Sequence, residues 1–431
     1  MIRKRLILLT YFFLLTFLGF SQKYQIDSSQ KKMFYPNIEK GSYNVGYKTI
    51  IDFDYSRSYN LKYPNDTSFQ KKDARPIIIN VWYPAEVKKD EKSMNYIDYI
   101  KVQNHDSTLQ IFIDRIEEYN KVNSSYYMFY RDRLSQKQKK AFSNHLHQPI
   151  ETYRDAAFIN DKFPLVFYHP GLGGTLNDNT ILCEYLASHG FVVVTSAFQA
   201  EDYREIEVDW DLERSIKDMN FILNAIKTLP FINFSKIAAI GHSYGAQAVL
   251  GYQAEASALL TCLILLDSTM DYSLDANPDD FELLTEKVYA NNEKINVPML
   301  VFANPGATFK VIDSLKNSDR IYTKVKLKHN EFTSLSSFAV LKNLQNRSNK
   351  ELVWNKYALI DNYCLKYLNY YFFNDVDAKN FILSKQPIFN DVHEIPREKS
   401  LNTKITVSKR LKNGFKNAII FVFTIVESIF N

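Results

Sequence analysis

Gly241-His242-Ser243-Tyr244-Gly245 stands between a short apolar run, 237–240, and a helix-like stretch, 246–250. Gly-x-Ser-x-Gly at a strand-to-helix junction is the context of a nucleophile elbow, whose turn is so tight that the serine hydroxyl is left exposed at the top of a sheet. The positions two residues either side of the serine must then be small, and Gly241 and Gly245 are. A serine hydroxyl is a poor nucleophile until a neighbouring base takes its proton, so the rest of the chain has to supply a base and an acid to orient it.

Where such an elbow sits in a doubly wound sheet, the partners follow the serine in the order acid, then histidine. The next buried run after Ser243 is 260–266, and it ends at Asp267. A carboxylate at the C-terminal tip of a parallel strand is well placed, because sites in these sheets form there. Asp271 is the nearest rival. The following strand, 297–303, ends in Asn304-Pro305-Gly306. Many elbows of this kind find their acid at that tip; here it carries no carboxylate, which favours Asp267. Downstream histidines are His329 and His393. His329 follows a strand-like run, 321–327, where a base belongs, whereas His393 lies in a polar region near the tail. His242 is read as packing or hydrogen bonding within the turn.

Upstream, the strand-like 163–168 runs into His169-Pro170-Gly171-Leu172-Gly173-Gly174. Three glycines in four positions let the main chain approach a ligand closely. A loop after this strand supplies one oxyanion-hole N–H and the residue after the nucleophile supplies the other, which selects the amides of Leu172 and Tyr244. His169 is expected to bond the loop main chain rather than carry protons. Such a set needs no metal or cofactor, and none is expected. His145 and His147, with no carboxylate or cysteine pattern nearby, make a poor zinc site.

The elements that must hold these residues follow from periodicity. Residues 47–55 and 75–83 look like strands, with a polar loop, 60–72, between them. Residues 181–188 form a helix stopped by His189-Gly190, 191–196 a fully apolar strand, and 209–229 a long amphipathic helix leading into the elbow strand. Strand, helix, strand, helix, strand predicts an α/β architecture with a doubly wound, mostly parallel sheet. Residues 86–161 differ: charged, aromatic and without glycine, with helical spacing at Leu109, Ile113, Ile116 and Tyr119. They read as a helical insertion that either covers the site or buttresses the domain away from it.

The chain of 431 residues has a formal charge of +5, of which three units belong to residues 1–21, so the remainder is too balanced to imply nucleic acid. Arg3-Lys4-Arg5, an uncharged apolar run to Phe20 and the small Gly19 and Ser21 read as a signal peptide, 1–21, cleaved before Gln22. A retained anchor is the alternative; the run is shorter than the ~20 residues a spanning helix needs. The hydrolytic set belongs to 22–390 and a tail to 391–431. Cys183, Cys262 and Cys364 sit in apolar neighbourhoods, as buried free thiols do. In the tail, seven basic residues and one acid over 397–416 precede an apolar run, 418–426. This predicts either an interfacial membrane helix or a terminal helix docked on the domain.

Taken together, these residues resemble the platelet-activating-factor acetylhydrolase family of α/β-hydrolases and, more distantly, the dienelactone hydrolase group. The carriers are Val81-Trp82-Tyr83-Pro84, Phe163-Pro164-Leu165-Val166, Ala187-Ser188-His189-Gly190-Phe191, the elbow, Leu266-Asp267, and His329 followed by Phe332. Pro170 between His169 and Gly171, Ala246 after the elbow and the 86–161 insertion depart from the pattern. The resemblance implies an α/β-hydrolase fold and metal-free hydrolysis of esters with short or oxidised acyl groups, on small molecules or phospholipids; the signal peptide marks the protein as exported. It puts Ser243, Asp267 and His329 on the family's triad and Leu172 and Tyr244 on its oxyanion positions. The alternatives are another serine hydrolase (a peptidase, amidase, or polyester or xenobiotic esterase) and a non-catalytic, membrane-associated binding protein on the same fold.

Overall fold

The computed structural model describes residues 38–59, 73–103, 106–124, 135–200, 208–256, 260–334, 347–384 and 389–395. The predicted signal peptide, the 60–72 loop and the basic and apolar tail from 396 onward lie outside the described residues. No described helix is long and apolar enough to cross a membrane.

Among the described residues, eleven strands form one sheet. In chain order they are β1 (Asn44–Tyr59), β2 (Asp73–Glu86), β3 (Thr152–Arg154), β4 (Ala157–Phe158), β5 (Phe163–His169), β6 (Val192–Ser196), β7 (Ile232–His242), β8 (Cys262–Leu266), β9 (Met299–Ala303), β10 (Arg320–Val325) and β11 (Phe389–Ile395). Their order across the sheet is β11-β10-β9-β8-β7-β5-β6-β2-β1-β3, with β4 on β2. The run β6-β5-β7-β8-β9-β10 is parallel; β2 meets β6 antiparallel, and β11 closes the far edge antiparallel. Winding reverses between β5 and β7, the crossing a doubly wound sheet makes at its site. This is an α/β-hydrolase fold with a mostly parallel sheet.

Period-two alternation divides the core in two. Leu165 and Phe167 of β5 and Leu263 and Leu265 of β8 face one apolar layer. Val166, Tyr168, Cys262, Ile264 and Leu266 face the other. The strands are buried throughout because helices cover both faces, which is why they read as unbroken apolar runs. Of the helices α1 (Gln110–Ser124), α2 (Gln136–Leu146), α3 (Thr180–Ser188), α4 (Leu212–Ala225), α5 (Tyr244–Ala256), α6 (Glu282–Ala290), α7 (Arg347–Phe373) and α8 (Val376–Leu383), α4, α5 and α6 pack on the first layer and α3 and α7 on the second. The three cysteines are buried free thiols.

Among the described residues, helical structure in 86–161 consists of 3-10 turns at Tyr96–Tyr99 and Ser107–Leu109 and of α1 and α2. Thr152–Arg154 pairs with β1 and Ala157–Phe158 with β2, so the end of that segment belongs to the sheet. The insertion thus ends before Thr152 rather than at 161, and two- and three-residue strands leave no periodicity in the sequence to mark that end. Residues 391–395, read as tail, likewise belong to β11, and His393 pairs with Tyr322 across the edge. The periodic residues of α1 do what their spacing predicts. Leu109, Ile113 and Ile116 are buried with Leu176 and Ala197, which follow β5 and β6, and Tyr119 packs against them. The helix therefore lies at the carboxyl end of the strands.

Where this segment meets the core, Tyr99 Oη lies 2.9 Å from both Thr152 Oγ1 and Glu184 Oε2. Burial pushes the Glu184 carboxyl up to about 7. The folded chain thus holds a proton there that the unfolded chain, with an ordinary carboxyl, releases above about 4.5. The resulting stability is full below that pH and is lost as pH rises towards 7, at up to about 1.4 kcal/mol per pH unit. Glu184→Gln is expected to flatten the fall in stability between pH 5 and 7, measured by urea unfolding at each pH.

Candidate active site

The elbow forms as its glycines require. Ser243 has φ +55°, a left-handed conformation that costs a non-glycine residue about 1–3 kcal/mol and is held only by its surroundings. Its amide donates to Leu266 O at 2.9 Å, tying the turn to the neighbouring strand end. A Cβ on Gly241 would lie 2.2 Å from Gly245 O, and one on Gly245 would lie 2.1 Å from His169 O. Gly245→Ala is therefore expected to destabilise the protein by about 3 kcal/mol or more. Gly306→Ala, where a Cβ meets nothing within 4 Å, should stay within about 0.5 kcal/mol. Urea midpoints of the two variants decide this.

The structure brings Ser243, His329 and Asp267 together from the ends of three elements. His329 Nε2 lies 2.8 Å from Ser243 Oγ, and His329 Nδ1 lies 2.6 Å from Asp267 Oδ2. A carboxylate only accepts, so Nδ1 carries the proton and Nε2 is left as the acceptor facing the serine hydroxyl. The Asp267 side chain is 2% exposed and that of His329 is 25% exposed: the acid is dry, while the ring opens to whatever reaches the serine. Asp267 too has a positive φ, +51°, an angle that aspartate tolerates.

Asp271, the rival acid, is buried beside Asp267, and its carboxyl oxygens meet no hydrogen-bond partner among the described residues. Burial, with the Asp267 charge adding to it, pushes its carboxyl well above the usual range. It does not reach the histidine. His393 lies across the sheet edge, on β11.

The acid has two further partners, which sequence reasoning missed. Tyr272 Oη donates to Asp267 Oδ1 at 2.5 Å, and Asn304 Nδ2 is 3.4 Å from the same oxygen. The Asn304 main-chain N–H in turn donates to Tyr272 Oη, and Leu327 N donates to Asn304 Oδ1 at 3.1 Å. The tip of β9, noted above for lacking a carboxylate, thus carries an amide that ties the acid to the histidine loop. Tyr272→Phe is expected to lower kcat about tenfold with KM unchanged, since it removes one of the two donors to Oδ1 of a buried charge. Steady-state kinetics on an ester found to be turned over provides the check.

The glycine loop closes on the elbow. A Cβ on Gly171 would lie 3.0 Å from the Ser243 Cβ, so only glycine allows this approach without displacement. The loop is held by Gly174 N to Gly171 O at 2.8 Å, Gly173 N to Val208 O at 2.9 Å and Tyr119 Oη to Gly173 O at 3.1 Å. Gly173 has φ +68°. His169 Nδ1 donates to Pro170 O at 2.8 Å and its ring stacks on Phe198, a structural post. The amides of Leu172, in the turn, and Tyr244, at the first position of α5, meet no protein acceptor among the described residues.

Beside the elbow a slot of about 50 Å³ is lined by Trp210, Leu212, Tyr244, Gln247, Asp280, Leu283 and Leu284, with Trp210 stacked on Tyr244 at 5.2 Å. A larger cavity, about 680 Å³, is lined by Glu86, Val87, Lys88, Asp90, Glu91, Asp155 and Ala157, away from the serine and its partners.

No family model matches the chain, and no curated protein matches it. Among solved structures it is similar to a ferulic acid esterase from Streptomyces cinnamoneus, with 15% identity, 81% of this chain and 96% of that chain covered, and a TM-score of 0.48. A likeness that distant says nothing about substrate.

Proposed function

We propose that the protein is a serine hydrolase that cleaves carboxylic esters. The observation that carries the reading is the relay in which His329 stands 2.8 Å from Ser243 Oγ and 2.6 Å from Asp267 Oδ2. In the reaction, Ser243 Oγ attacks the ester carbonyl carbon while its proton passes to His329 Nε2. Asp267 keeps the ring in the needed tautomer and stabilises the imidazolium. The Leu172 and Tyr244 amides hold the oxyanion, each such donor being worth about 3 kcal/mol. His329 then gives the proton to the departing alcohol oxygen, leaving an acyl-serine. Water attacks that ester as His329 takes its proton, and the acid product leaves with Ser243 restored.

The finer reading is of esters with short or oxidised acyl groups, phospholipids among them. It is supported by the resemblance of the elbow, Leu266-Asp267 and His329 to the platelet-activating-factor acetylhydrolase family. Labelling by a fluorophosphonate probe in the wild type and its loss in Ser243→Ala tests the reaction class. Rates on p-nitrophenyl esters and phospholipids of increasing acyl length test the substrate; a preference for long acyl chains or for peptides would overturn the finer reading.

A further inference from the structure

We infer that His242, the residue before the serine, is a positioning residue for the base: it ties the His329 main chain to the elbow and so sets where the imidazole stands relative to Ser243 Oγ. The inference rests on the hydrolase reading above and names a further residue of the same site.

His242 is the last residue of β7 and 6% exposed. Its Nε2 lies 3.0 Å from the His329 carbonyl oxygen. A carbonyl only accepts, so Nε2 carries the proton and donates. Nδ1 is then a bare acceptor, buried with no partner among the described residues. That edge of the ring faces the glycine loop, where a Cβ on Gly171 would come within 3.2 Å of Nδ1. On the other side the ring lies 4.8 Å, centre to centre, from the His329 ring. One side chain therefore touches the elbow through its own main chain, the oxyanion loop at Gly171 and the base at its carbonyl.

The histidine loop has other ties, but they fall to either side of His329. Asn304 holds Leu327 N two residues before it. Asn179 accepts from Ser334 N at 2.9 Å and donates to Phe332 O at 3.4 Å, three and more residues after it. The His242 bond is made at the catalytic residue itself. It also spans the gap whose width governs proton transfer, since its donor is one residue from Ser243. An error of about 1 Å in such a gap costs on the order of 100-fold in rate.

A histidine suits this place only while uncharged, because His329 becomes a cation in each turnover and a second cation 4.8 Å away would oppose it. Burial first, and the His329 charge second, push His242 down to about 3. The ring is then a neutral donor wherever the base works.

The test uses the full chain with His242→Leu, which fills the space without a donor, and His242→Gln, whose amide N–H can serve the same carbonyl. Three quantities are read: kcat and KM on p-nitrophenyl acetate, the fluorophosphonate labelling rate, and the low-field proton resonance of the His329–Asp267 hydrogen bond. His242→Leu is expected to lose about 30–100-fold in kcat and in labelling rate with KM within about threefold, and to shift or broaden the low-field resonance. His242→Gln should stay within about fivefold of wild type and keep the resonance. Equal losses in the two variants, or a leucine variant within about threefold of wild type with its resonance unmoved, would overturn the positioning role. Failure of the wild type to label would overturn the hydrolase reading instead, and the resonance would still decide what His242 does for His329.

Discussion

Ser243→Ala and His329→Ala should each lower kcat by about 10⁴–10⁶-fold, and the double variant should be no slower than the worse single one. The hydroxyl is activated only through the 2.8 Å contact to His329 Nε2, so each residue is useless without the other. Effects in such a unit do not add. A residual rate on the order of 10³-fold over water should survive in all three variants, because the Leu172 and Tyr244 amides are main-chain groups that the substitutions leave in place. Folding should be retained: Ser243→Ala removes one oxygen, and the truncated ring of His329 is a quarter exposed already. The measurement is kcat for both single variants and the double variant on one ester, with a urea midpoint for each. Losses that add in the logarithm would mean that serine and histidine act separately, which the relay does not allow.

The parts of this site that could be seen in the sequence are those fixed by strand ends. Ser243 and Asp267 lie at the carboxyl ends of β7 and β8, and an apolar run that stops at a polar residue marks such an end in one dimension. His329 is four residues beyond β10 and followed from chain order. The parts that could not be seen lie across gaps in the chain. Asn304 had been noticed for the carboxylate it is not; that its amide would bridge Asp267 and Leu327 needs coordinates, because the partners are 37 and 23 residues away. Tyr272 sits in a one-turn helix with no period to announce it. His242 was assigned to the turn, whereas its donor leaves the turn for a carbonyl 87 residues on. At the sheet edges, β3 and β4 are held by pairing with β1 and β2 rather than by an apolar stripe of their own. The long helix α7 buries Tyr357, Ile360, Tyr363, Cys364, Tyr367 and Leu368, which recur at helical spacing on one face.

Asp267→Asn should lower kcat by about 10⁴-fold at neutral pH while leaving KM nearly unchanged. The fold should tolerate it, because amide and carboxylate have the same shape. The damage is one of tautomer. The group now at the Oδ2 position, 2.6 Å from His329 Nδ1, can be an N–H, which favours the ring with its proton on Nε2, facing Ser243 Oγ with a donor where an acceptor is needed. If the amide turns its oxygen to His329 instead, the N–H points at Asn304 Nδ2, a donor, and at Tyr272 Oη, which already accepts from the Asn304 main-chain N–H, and the conflict moves to that side. Neither orientation is satisfied, and in neither is the imidazolium stabilised by a full charge. Because Asn304 already touches the other oxygen, Oδ1, from the tip of the next strand, the double variant Asp267→Asn, Asn304→Asp returns a carboxylate to the cluster. It is expected to recover about 10–100-fold of the lost rate without reaching wild type, since Asn304 is held towards Leu327 N rather than towards His329 Nδ1. If the single variant falls less than about tenfold, Asp267 is not the acid. If the double variant is no faster than the single, the charge serves only at its original tip, and the Asn304 contact is one of packing and loop tethering.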